Sequence, residues 1–368
     1  MIAAHRDRGT RSSRGWWLVL GISLLIAEAW RFVDLRKTSS LLATVGPLVF
    51  FALVPYALLV LCETAGWRTV CAAAGLRIGL APLLMVRLAG IAASAAVPAG
   101  SLFADGVKPA LLRRVEGVPL PVTLATLMGN KLMLVATHAV YVATATALGW
   151  SALAAASPQL LGSSLLPWLC VATASSLVVA ALVLSALVTS EALGRRVHQA
   201  LARFPFRFGR RWLTAREGTF RELDGHLSRL REAPRKALAA GAALYFSSWC
   251  CEALESFVIL SLIGVHLRFV DVMSLDAVVG VLRSCAFALP SALGVTDATY
   301  VLLLGAYGIA DPLDAGAAFV VLKRAKEVCW VAAGTAILLA MRQFTPARDA
   351  TYALAKSSLN RQDAEAAE

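Results

Sequence analysis

Apolar runs of about 20 residues recur along this chain, and that one feature removes most folds. A run of that length crosses ~30 Å of hydrocarbon as a helix. In lipid, every backbone N–H and C=O must find its partner inside the protein. The runs are continuous, whereas a β-barrel needs alternating strands of about ten residues. With 58 % hydrophobic and 16 % charged residues and a mean hydropathy of +0.70, the chain reads as an all-α integral membrane protein.

The net charge is +12, and its placement orients the chain. Segment 189–236 holds twelve Lys/Arg against five acids, and Arg6, Arg8, Arg11 and Arg14 crowd the first fifteen residues. The positive-inside rule puts both in the cytoplasm. Phe204, Phe206, Phe208 and Trp212 among the arginines predict amphipathic helix lying on anionic lipid headgroups. Nucleic acid is the rival partner for such clusters and is set aside in a chain this apolar. Trp16–Ile26 has the outline of a signal peptide but reads as a retained first helix anchored by Trp16 and Trp17. Six spanning helices follow from this threading: 16–30, 41–61 with kinks at Pro47 and Pro55, 121–149, 169–188, 237–264 and 315–341. The charge-free link 150–167 reads as an outer loop flanked by Trp150 and Trp168. Residues 1–341 form one membrane unit, followed by a polar cytoplasmic tail, 342–368.

Two further stretches share one spacing. Pro98, Asp105 and Lys131 recur 192 positions later as Pro290, Asp297 and Lys323, each set reading P-x6-D-x25-K. Segment 80–112 is apolar but is followed by Arg113 and Arg114, charges that belong inside. It therefore enters from the cytoplasm and turns back at Pro98-Ala99-Gly100. Segment 272–309 enters from the other face and breaks at Pro290 to Gly294. The expectation is two re-entrant helical hairpins, related as an inverted repeat of the kind secondary transporters use. Broken-helix ends expose free N–H groups suited to an anion.

The residues able to carry chemistry cluster near these breaks. Lys131 and Lys323 sit about 14 Å into their helices at ~1.5 Å per residue, a depth at which a cation is costly and by default functional. Asn130 adjoins the first; Arg324, Lys326 and Glu327 adjoin the second. Arg87 and Arg283 lie in the first arms of the hairpins and suit a phosphate fork. Glu252 and Glu255 are one turn apart, either as ion-pair partners or as a proton relay. Asp105 and Asp297 serve either as partners or as caps of the second half-helices. The alternative for the whole set is structural ion pairs within the bundle. His138 and His266 read as packed residues. The seven cysteines form no metal-ligand spacing, and no nucleotide fingerprint or catalytic triad is visible. No metal or cofactor is expected.

The run Phe287-Ala288-Leu289-Pro290-Ser291-Ala292-Leu293-Gly294-Val295-Thr296-Asp297, with Leu322-Lys323-Arg324-Ala325-Lys326-Glu327 after it, resembles the signature of the lysylphosphatidylglycerol synthase transmembrane-region family, also called flippase-like proteins. Val97-Pro98-Ala99-Gly100 and Asp105-Gly106 resemble its first loop. From Arg283 to Trp330 the likeness is greatest to the hopanoid-biosynthesis-associated membrane proteins. Ser291-Ala292 replaces the family's two glycines and Asp297 its common Glu, which narrows the backbone available at the break. The resemblance implies an inner-membrane lipid translocase with both termini cytoplasmic. In that reading Lys131, Lys323, Arg324 and Lys326 share one polar cavity. Hopanoid or another isoprenoid lipid follows from the resemblance, phospholipid from the cations. With 27 residues after Met341, aminoacyl transfer is not expected. Two alternatives stand beside it: a scaffold that gathers lipid-biosynthesis enzymes through 189–236, and an integral-membrane transferase.

Overall fold

The computed structural model describes residues 40, 43, 45–95, 100–190, 193–203, 217–285 and 295–343. Among them the regular structure is helical throughout. A 3-10 turn, Gly46–Ala52, runs straight into α1, Leu53–Ala73. Then come α2, Leu80–Ala95, α3, Gly100–Glu116, and α4, Leu120–Leu148. Next are α5, Trp150–Leu161, α6, Leu166–Thr189, α7, Leu193–Arg203, and α8, Glu217–Glu232. The chain closes with α9, Arg235–Leu262, α10, Phe269–Cys285, α11, Val295–Ala306, and α12, Pro312–Gln343.

The plan is two copies of one unit: a long helix, two short helices, a long helix. α1 to α4 form the first copy and α9 to α12 the second. Both closing helices carry Pro in the first turn, Pro121 and Pro312, where a missing N–H costs nothing. Left-handed glycines close matching turns, Gly75 with Gly264 and Gly117 with Gly308. Each copy has its own apolar core. The packing exchanges the copies: α1 lies along its counterpart α9, α2 packs on α12, and α10 packs on α4. At the α2–α12 crossing, a Cβ on Gly334 would stand 2.2 Å from the Leu88 carbonyl oxygen, so only glycine permits that approach.

Four helical stretches are long and apolar enough to cross a bilayer: Gly46–Ala73, Leu120–Leu148, Leu166–Thr189 and Arg235–Leu262. Of the six expected spans, 16–30 lies outside the described residues. The span 315–341 falls within the 32-residue α12, whose four charges, Lys323 to Glu327, set it apart from the apolar four. Three boundaries differ from expectation. The 41–61 span runs on to Ala73, because Glu63 and Thr64 are buried inside the helix rather than ending it. The Thr64 hydroxyl satisfies itself on the Val60 carbonyl, 2.6 Å away, as small hydroxyls do in apolar helices. The expected outer loop 150–167 is largely α5. Its alanine-rich sequence favours helix, and Gly162 at φ 65 stops it. Trp150 and Trp168 meet edge to face at 5.4 Å. Of the expected headgroup segment 189–236, Phe204, Phe206, Phe208 and Trp212 lie outside the described residues, and α7 and α8 flank them. α8, however, buries Leu223, Leu227 and Leu230 in the first-half core with α4, so its apolar side meets protein instead of headgroups.

Candidate functional site

The first hairpin, α2–α3, builds one wall of a cavity of about 340 Å³. Arg87, Gly90, Ile91 and Ser94 line it from α2, and Lys131, Leu134, Val135 and His138 line it from α4. Both sets follow the i, i+3, i+4, i+7 spacing of one helical face. Asp105 and Lys108 come from α3, Glu63 from α1 and Trp249 from α9. Asp105 is shared: Oδ1 accepts from Lys108 Nζ at 2.7 Å and Oδ2 from Lys131 Nζ at 2.8 Å. Arg87 pairs with Glu63. Gly90 gives the Lys108 stem its room, since a Cβ there would stand 3.3 Å from Lys108 Cε. His138 stacks on Trp249 with ring centroids 4.0 Å apart. Lys131 is 44 % exposed in its side chain, the most open of the basin's cations.

The second half carries a charged set of its own, sealed at Lys326 and Glu255 and half-open at Arg324, Asp297 and Glu327. Lys326 Nζ donates to both oxygens of Glu255, at 2.8 and 2.9 Å, with side chains 5 % and 1 % exposed. Lys326 also lies 4.0 Å over the Tyr56 ring from α1. Arg324 bridges Asp297 at 2.7 Å and Glu327 at 2.6 Å. Lys323 donates to the Tyr300 hydroxyl at 2.8 Å and to Ser256 at 3.2 Å. Both hydroxyls in turn donate to Asp276.

The predicted residues therefore divide. The basin contains Lys131, Arg87 and Asp105, and the second-half set contains Lys323, Arg324, Lys326, Glu255, Glu327 and Asp297. The basin's lining includes Lys131 and none of Lys323, Arg324 and Lys326. Asn130 is drawn off to structure, accepting the Tyr245 hydroxyl and tying α4 to α9. Asp105 and Asp297 both serve as ion-pair partners, Asp297 from the first turn of α11. Gly100 opens α3. Arg283 lies in the last turn of α10, and its side chain, with Pro98, Pro290 and Gly294, lies outside the described residues. Glu252 sits one turn before Glu255 on α9. His266 belongs to a separate cavity of about 440 Å³ with Asp311 and Asp314.

Sequence reasoning passed over Glu63, Lys108, Asp276 and Tyr300. Three of these were within reach of the repeat. Glu63 and Glu255 stand 192 positions apart, as do Lys108 and Tyr300, so the same offset that pairs Lys131 with Lys323 marks them too.

One comparison with known proteins is informative. The family model described as lysylphosphatidylglycerol synthase TM region matches residues 16–334. No curated protein and no solved structure matches the chain.

Proposed function

The chain belongs to the lysylphosphatidylglycerol synthase TM region family, a membrane family tied to lipid handling, and from that premise we propose that it moves a lipid between leaflets. The polar headgroup passes through the basin while the hydrocarbon body stays in lipid. The carrying observation is the charged cavity itself. Charges at membrane depth are expensive, and here they face an opening walled by α2, α3 and α4, with a second charged set in the other half, sealed at Lys326 and Glu255. In this reading the two copies are inverted, the hairpins are re-entrant, and the protein sits in the cytoplasmic membrane with both termini inside. The cargo is an isoprenoid-derived or a phosphate-bearing lipid.

The test is purified protein in vesicles carrying fluorescent phospholipid or hopanoid. Leaflet exchange above that of protein-free vesicles is expected, and Lys131→Ala lowers it at least tenfold. Exchange of no cargo, with and without a membrane potential or proton gradient, overturns the proposal. A scaffold would show the opposite sensitivity, tolerating Lys131→Ala and failing on deletion of α7.

A further inference from the structure

We propose that the first-half basin is an oxyanion site that takes the phosphate of an anionic lipid headgroup, held by Lys131, Lys108 and Arg87. This rests on the lipid-handling reading and narrows it to one chemistry.

Three cations line the cavity, Arg87, Lys108 and Lys131, against two carboxylates, Glu63 and Asp105. Glu63 is taken by Arg87. Asp105 is then divided between two lysines, one on each oxygen. One positive charge is left in excess. Asp105 spends both oxygens on the two ammonium groups, each of which has further N–H donors, and a phosphate entering beside it adds oxygens for short charge-assisted bonds to both. Arg87 lines the cavity beside Glu63, and the Arg87 Nε–H and the Glu63 Oε2 are both buried without a hydrogen-bond partner among the described residues.

The remaining wall argues for a lipid-borne phosphate. Ile91, Leu134, Val135 and the His138–Trp249 stack give an apolar surface beside the charges, suited to the glycerol and first acyl carbons. Lys131, on its flexible four-carbon stem, is exposed enough to leave Asp105 and follow the headgroup. A cationic headgroup would add to the excess charge, and a neutral polyol would leave it unanswered.

The test reads binding without transport. Purified full-length protein in detergent is titrated with fluorescent lipids of identical chains: phosphatidylglycerol, diacylglycerol and a trimethylammonium lipid. Phosphatidylglycerol is expected to bind at least tenfold tighter than either, a preference that shrinks as salt rises. Lys131→Gln and Lys108→Gln are each expected to cut that preference about fivefold while leaving diacylglycerol binding unchanged. The unchanged arm shows that the variants are folded. Inorganic phosphate is the competing source. If it displaces the lipid only at far higher concentration, the site belongs to a headgroup; if it binds as tightly as the lipid, the oxyanion chemistry stands and the source is soluble phosphate. Equal binding of the anionic and neutral lipids, or a preference untouched by both lysine variants, overturns the inference. Neither result touches translocation of a neutral lipid. Conversely, a lack of leaflet exchange in vesicles leaves this binding result standing.

Discussion

The two halves share one backbone plan and use it in opposite ways. In the first, Lys131 reaches across a cavity to Asp105. In the second, the equivalent lysine and aspartate are parted: Lys323 turns to Tyr300 and Ser256, and Asp297 is held by Arg324. Four differences between the copies account for this. Where the second half has Asp276, Tyr300, Arg324 and Lys326, the first has Leu84, Lys108, Leu132 and Leu134. Arg324 captures Asp297 and so releases Lys323, which finds the Tyr300 and Asp276 pair. Lys326 reaches Glu255 from α12. Leu134 offers Glu63 nothing, so Glu63 takes Arg87 from α2 instead. A handful of side chains on a repeated frame thus decides which half encloses its charges and which presents them.

The contrast breaks most sharply at Glu255. Its pair with Lys326 is almost fully buried, so neutralising one member strands the other charge. Glu255→Gln is expected to cost about 3–5 kcal/mol of stability, read by thermal or denaturant unfolding of the purified protein. Glu255→Leu with Lys326→Met removes both charges and should restore most of the loss, because a paired charge out of water is seldom more stable than a packed apolar pair. If the single variant is as stable as the parent, the second half is not sealed and the contrast fails.

Accessibility sharpens it next. In a cysteine-free background, Lys131→Cys is expected to react with a water-soluble thiol reagent at least tenfold faster than Lys323→Cys, an order of magnitude that corresponds to about 1.4 kcal/mol of access free energy. Equal rates would place the two lysines in equivalent surroundings. If the rates converge once a lipid gradient is imposed, the halves exchange states.

Much of this plan was readable in the chain and some was not, for physical reasons. The helical class and its long apolar spans follow from hydropathy, and one repeated spacing points to Asp105 and Lys131, which meet. Glu63 was hidden because an acid after an apolar run looks like the end of a span; only its partner Arg87, 24 positions on, shows that it belongs inside. α5 was hidden because an absence of charge says nothing about backbone conformation. The separation of the cations into two sets depends on Leu134 facing Glu63 where Lys326 faces Glu255. That is a packing fact, and no helix read by itself contains it. Neighbouring cations on one helix face were visible, but which acid each would choose was not.

The smallest effect is at Lys131, and it separates a binding role from a structural one. Its ammonium meets Asp105 at 2.8 Å, yet its side chain is 44 % exposed and Asp105 keeps Lys108. Such a half-open pair contributes about 0–1 kcal/mol, because water screens it and ordering a long side chain costs entropy. Lys131→Ala is therefore expected to change stability by less than about 1 kcal/mol, measured by the same unfolding titration as Glu255→Gln. A residue that costs so little to remove fits the proposed binding role better than a structural one. If Lys131→Ala proved as destabilising as Glu255→Gln, the first half would be a second structural lock, and the cavity beside it would have no claim to a headgroup.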